Sequence, residues 1–247
     1  MGCAPFSPPR RRCFLALGSG FLLAAVGMGA GCATRQLPDG RRETTFDPSL
    51  LAKTDIDRVV EIHRTEVVAS LRRLTDKLYR RNPREWRKGN QPSLEAAVAL
   101  VFDLPAARQA LGGRREREAA LLAFREDYTG DRVLALMGGL MDMVDGAFEN
   151  KEAFYLLDSL DAQKLYNCAR NVEVAAWKLN SARDGNGEPL LYANVDGPVR
   201  NLTFEREVGR TVGLLDTLAR IVVDKNGRAV TRVTHSLATA IFLPVKF

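Results

Sequence analysis

The chain has 247 residues, with 36 Lys and Arg against 30 Asp and Glu. Hydrophobic residues make up 46% and charged residues 27%, an ordinary globular balance that excludes a disordered chain. The net charge of +6 is modest, and Arg10, Arg11 and Arg12 supply half of it, so the remainder is only mildly basic and does not argue for a nucleic-acid partner.

Those three arginines open a recognisable layout. An apolar run follows from Phe14 to Val26, then small residues from Gly27 to Gly31, then Cys32. Positive block, apolar stretch and small-residue exit are the parts of an export signal, whose positive end stays on the cytoplasmic side. The run is too short and glycine-rich for a permanent span, which takes roughly 20 apolar residues. The exit Gly29-Ala30-Gly31-Cys32 resembles the lipobox of bacterial lipoproteins, with Gly29 standing where that pattern has Leu. The resemblance implies cleavage before Cys32, acylation of its thiol, and a stable lipid anchor. Ala33 stands where Asp would mark inner-membrane retention, so the same resemblance implies the periplasmic face of the outer membrane. The alternative is an ordinary signal cut near Ala30, or an uncleaved anchor. Arg11-Arg12-Cys13-Phe14-Leu15 also resembles the core of a twin-arginine signal; a general secretory signal with three arginines is the other reading.

The expected organisation is a signal at 1–31, a lipid-bearing Cys32 with an extended tether to residue 50, and a single domain over 51–247. About 215 residues remain after cleavage, enough for one sizeable core. Cys168 is then the only cysteine left besides Cys32, so the domain must hold together without a disulfide.

From Thr54 the pattern is helical. Thr54 or Asp55 caps a helix with Ile56, Val60, Val67, Leu71, Leu74 and Leu78 on one face, running to about Arg81 and stopping near Pro83. Ser93 caps Leu94–Leu104, which Pro105 closes. Helices are expected over Arg115–Tyr128 and Asp131–Phe148, separated by Thr129-Gly130. Another fills 151–182 with a break near Ser159–Asp161 and a stripe of Leu165, Cys168, Val172, Ala175 and Leu179. Asp184-Gly185-Asn186-Gly187, Pro189 and Asp196-Gly197-Pro198 mark 184–201 as a long loop or small hairpin. A helix from Thr203 to Val223 ends at a sharp turn over Asp224–Gly227. The tail from Ala229 reads as strand by its Val and Thr content, or as helix by Val230, Val233, Leu237 and Ile241; helix is preferred. The fold class is all-α, a bundle of about six or seven helices with a loop-rich insertion.

Two stretches stand out as candidate sites. Arg72, Arg73, Lys77, Arg80, Arg81, Arg84, Arg87 and Lys88, with Tyr79 and Trp86 interleaved, form a basic segment suited to an anionic partner: lipid head groups, an acidic protein or a glycan. The plainer reading is a solvated helix end whose late cations complement the helix dipole. Met137, Gly138, Gly139, Met141 and Met143 suit a groove for an apolar ligand or partner helix; the plainer reading is a core helix at a tight crossing. Asp142 and Asp145 lie one turn apart and read as that helix's polar side.

Other features carry little chemistry. His63 lies on the apolar face of its helix, and His235 has no recognisable partner. No spacing provides zinc ligands, a nucleophile elbow or a phosphate loop, so no metal and no cofactor are expected. Cys168 reads as an inert core thiol. Asp184, Asn186 and Glu188 alternate like a calcium loop, but Pro189 stands where glycine is required. Alternation at Ile241, Leu243, Val245 and Phe247 faintly resembles a barrel strand, which Pro244 interrupts. The leading expectation is a non-catalytic envelope lipoprotein for protein interaction, assembly or transport. A carrier or sensor of a small apolar or lipid ligand is second, and an envelope hydrolase using a lone Glu or an Asp pair third.

Overall fold

The computed structural model describes the backbone of residues 33–36 and 42–45, and residues 53–155, 158–194, 202–226 and 242–245. Arg10–Arg12, Cys32, residues 195–201, the expected tail helix over 229–241 and His235 lie outside the described residues. Two compact units divide between Leu51 and Ala52. In the first, β1 (Ala33–Gln36) pairs antiparallel with β2 (Arg42–Thr45), Ala33 opposite Thr45 and Gln36 opposite Arg42. Part of the expected tether is therefore extended but paired.

The second unit is mostly helical. Its described helices are α1 (Asp55–Arg81), α2 (Pro83–Lys88), α3 (Leu94–Phe102), α4 (Leu104–Ala110), α5 (Glu116–Leu122), α6 (Arg132–Ala147), α7 (Ala162–Ser181) and α8 (Thr203–Asn226). None is long and apolar enough to cross a membrane. α1 starts as its sequence dictates. Thr54 Oγ1 accepts the Asp57 amide at 3.2 Å while the Asp57 carboxylate accepts the Thr54 amide at 2.8 Å, a reciprocal cap. The expected apolar stripe then faces the core: Val60, Val67, Leu71, Leu74 and Leu78 are buried.

Five boundaries differ from the sequence expectation. α2 follows α1 after one residue, because Pro83 suits a first helical turn as well as it blocks an interior. Pro105 likewise opens α4, where Asp103 caps the Ala106 amide, and does not close α3. α5 ends at Leu122, short of Tyr128. The Arg132 guanidinium donates to the Ala123, Arg125 and Glu126 carbonyls at 2.9, 2.6 and 3.3 Å, giving that backbone partners outside a helix. α7 begins only at Ala162, capped by Asp161. Among the residues before it, Asp158 accepts the Tyr155 amide and Phe154 packs edge-on against Phe148, with centroids 6.3 Å apart. α8 in turn runs through the expected turn to Asn226.

α6 occupies the middle, packed against α1, α2, α3, α4, α5 and α7, while α8 packs on α7 and α1. Every residue of α6 except Asp145 is buried. A helix enclosed all round needs small residues where a neighbour crosses. Gly139 is that point: a Cβ there would lie 2.6 Å from the Ala120 nitrogen and the Glu116 oxygen on α5. The loop after α7 is a small hairpin bridging Arg183 and Pro189. Its turn is held by the Asp184 carboxylate, which accepts the Asn186 and Glu188 amides.

Candidate functional site

The basic segment falls on the end of α1 and on α2, and the structure spreads its cations over different tasks. Arg73 and Lys77 face α8. Arg73 reaches the buried Glu207 carboxylate at 3.0 Å, and Lys77 lies 3.8 Å from Glu207 and donates to the Thr203 carbonyl. Arg80 pairs with Asp76 at 2.8 Å on the surface. Arg84 and Lys88 flank Glu85, at 3.6 and 2.8 Å. Arg72 stacks over Phe102 and Arg87 over Trp86, at 4.2 and 5.1 Å from the ring centroids. Among the described residues Arg72, Arg81 and Arg87 have no carboxylate within ion-pair distance. Trp86 is half-buried against the core, beneath Arg87. Five of the eight cations are thus engaged with acidic neighbours.

Beneath this surface lies a buried polar cluster without a sequence signature. Glu85 accepts the Arg132 amide at 2.9 Å, and Asp131 accepts the Val133 and Leu134 amides, both at 2.9 Å. These three amides are the unpaired donors of the α6 start, where the helix dipole also favours carboxylates. The Tyr79 hydroxyl donates to the other Asp131 oxygen at 2.8 Å. Burial pushes the Asp131 carboxyl above its ordinary range, against the pull of those hydrogen bonds. Burial and the neighbouring Asp131 charge push the Tyr79 hydroxyl far above its own. The cluster docks α1, α2 and α6; its groups are enclosed and mutually satisfied.

The methionine-rich stretch is core. Met137, Gly138, Gly139, Met141 and Met143 are all buried within α6 at its packed crossing, and Met143 also borders a cavity beside the start of α5. Asp142 is a correction to the sequence reading. It is 2% exposed, paired with Arg108, 3.5 Å from Arg115, and accepts the Glu116 amide at 3.1 Å. Asp145 faces Arg64 instead, at 3.4 Å. Each carboxylate is held by its own arginine, Asp142 by Arg108 and Asp145 by Arg64. Cys168 is fully enclosed, and burial pushes its thiol up to about 12, which suits an inert core residue. His63 is half-buried, its ring nitrogen 2.8 Å from the Val59 carbonyl.

Two surface cavities fall mostly on residues outside the sequence-predicted sites, Met143 being the exception. One, of about 460 Å³, has Leu121, Leu122 and Phe124 as apolar lining and Arg114, Arg125 and Lys178 around it, with Glu118 the acidic member. Lys178 sits 5.7 Å from the Phe124 ring centroid, and Arg125 is paired with Asp127. The other, of about 390 Å³, lies between the start of α5, Met143 and the Leu243-Pro244 segment. Both gather residues far apart in sequence, which periodicity cannot reveal.

No family model, no curated protein and no solved structure matches the chain.

Proposed function

We propose that the protein is a bacterial envelope lipoprotein: Cys32 carries the lipid, and the helical unit docks an anionic partner, a protein of the envelope, through the α1–α2 end. The reading of the address rests on Gly29-Ala30-Gly31-Cys32 behind the export-signal layout. The docking surface rests on one observation. Among the described residues Arg72, Arg81 and Arg87 have no carboxylate within ion-pair distance, and Arg87 stacks on the half-buried Trp86, while adjacent cations are paired. Cations without partners and an aromatic ring are what an interface uses; pairs already satisfied contribute little. The test has two parts. Fatty-acid labelling of cells is expected to mark the wild type and not Cys32→Ala; equal labelling removes the lipoprotein reading. In-cell cross-linking is expected to trap one envelope protein whose yield falls when Arg72, Arg81 and Arg87 are reversed to Glu. An unchanged yield removes the surface.

A second reading keeps the carrier function but moves it from Met137–Met143 to the α5 cavity. Leu121, Leu122 and Phe124 offer an apolar floor, and Arg114 and Lys178 a cationic rim. That combination suits a single-chain amphiphile with an anionic head. Native mass spectrometry of protein purified from envelopes is expected to show bound lipid in this case, lost in Lys178→Glu; bare polypeptide counts against it.

A further inference from the structure

The segment Phe242–Val245 is held to the helical unit by side-chain amides. It lies across α7, whose buried face carries two asparagines one turn apart, Asn167 and Asn171. The Asn171 side chain accepts the Leu243 amide at 2.5 Å and donates to the Leu243 carbonyl at 2.8 Å. Its nitrogen also lies 3.2 Å from the Met143 sulfur. Asn167 donates to the Pro244 carbonyl at 2.8 Å and is itself oriented by Gln163, at 2.9 Å. Phe242 and Val245 are buried, Leu243 is half-buried, and Pro244 is exposed.

This is recognition of a main chain by side-chain amides, with an apolar anchor on either side. Burying a polar amide without a partner costs roughly 1–3 kcal/mol. A core built only to be filled would place apolar residues at both positions. The asparagines are polar where an extended backbone must be satisfied, as a sheet edge satisfies an added strand. A proline is tolerated because its position supplies only a carbonyl. The cavity of about 390 Å³ runs alongside, bounded by Leu243, Pro244, Met143 and Arg115.

We infer that the α7 face built around Asn167 and Asn171 is a recognition groove for an extended apolar segment, and that the chain's own Phe242–Val245 occupies it in cis. The partner it fits is a protein segment with an aromatic anchor, a free main-chain N–H one residue later, and a small apolar anchor three residues after the aromatic. The cis segment competes with it because tethering raises its effective concentration. This inference is independent of the lipid anchor and of the α1–α2 surface.

The test uses the full chain with Phe242→Ser and Val245→Ser, which empties the groove, and a fluorescent peptide of residues 240–247. Saturable binding at least tenfold tighter than to the wild type is expected. A peptide N-methylated at Leu243, or addition of Asn171→Leu to the emptied chain, should each weaken it at least tenfold. Absence of saturable binding to an emptied chain that still melts cooperatively overturns the inference, as does indifference to N-methylation. Should the emptied chain not melt cooperatively, hydrogen exchange of the wild type decides. The Leu243 amide is expected to exchange at least a hundredfold faster than the α6 amides; exchange together with them makes the segment ordinary core and overturns the inference.

Discussion

Asp142 on α6 and Asp76 on α1 each hold an arginine, yet the two pairs do different work. Asp142 is enclosed, and Arg108, Arg115 and the Glu116 amide converge on it from α4 and the start of α5. Asp76 meets Arg80 one turn on, at the surface, where water competes for both. The first arrangement fixes which helices surround α6. The second links two side chains of the same helix and fixes no neighbour of α1. In this chain buried charge specifies packing, and exposed charge is where the proposed docking would take place.

That contrast can be broken by substitution. Asp142→Ala would leave Arg108 and the Glu116 amide without their acceptor, and is expected to cost about 3 kcal/mol in a chemical denaturation. An effect near zero would mean that the clamp is as loose as a surface pair. Gly139→Ala tests the same helix through shape. Its Cβ would meet the α5 backbone, and about 2 kcal/mol of destabilisation is expected. Gly138→Ala beside it meets only the Leu111 and Ala107 side chains and the Leu134 side chain, at 3.5 Å or more. That substitution should be neutral or stabilise by up to about 1 kcal/mol through helix propensity. Equal melting temperatures for the two alanine variants would remove the close crossing.

Tyr79→Phe is expected to cost about 1.5 kcal/mol, because Asp131 loses one of three donors. It also carries a pH signature. The folded Tyr79 hydroxyl stays protonated above 10.0, its ordinary value, while the unfolded one ionises. The folded state therefore binds the extra proton, and stability falls as pH rises through and beyond 10. Phenylalanine should remove that contribution. Asp131 obeys the same sign in acid: its folded value lies above 3.8, so stability falls as pH rises through that window. Asp131→Asn should flatten that part of the profile, as read by denaturant midpoints across pH. The smallest stability effect is expected on the exposed side. Arg81→Glu with Arg87→Glu should change stability by less than about 0.5 kcal/mol each while abolishing partner cross-linking. A large loss of stability would put these cations with Asp142 instead.

The helices were legible because their stripes and caps are local. Thr54, Ser93, Asp131 and Asp161 each sit directly before an apolar rhythm, and each caps the helix that follows. Pro83 and Pro105 misled because a proline that ends one helix can begin the next. The charged residues misled more. Nothing local distinguishes Asp142 from an exposed carboxylate on a helix face, because the arginines that bury it come 34 and 27 residues earlier in the chain. Asn167 and Asn171 were invisible for the same reason: the stripe Leu165, Cys168, Val172 passes beside them, and their partner lies 72 to 77 residues on.

Asn82 repeats the device of Asn171. Its side-chain oxygen accepts the Tyr192 amide at 2.8 Å, and its nitrogen donates to the Tyr192 carbonyl at 2.9 Å, across 110 residues of chain. Clasps between residues so distant cannot close until the intervening helices have collapsed, since each requires a long loop to be drawn shut first. Their closure is expected late, after the rate of folding has been set. Weakening Asn82 or Asn171 should therefore leave the refolding rate almost unchanged and hasten unfolding, so that these two amides govern how long a folded molecule lasts more than how quickly it forms.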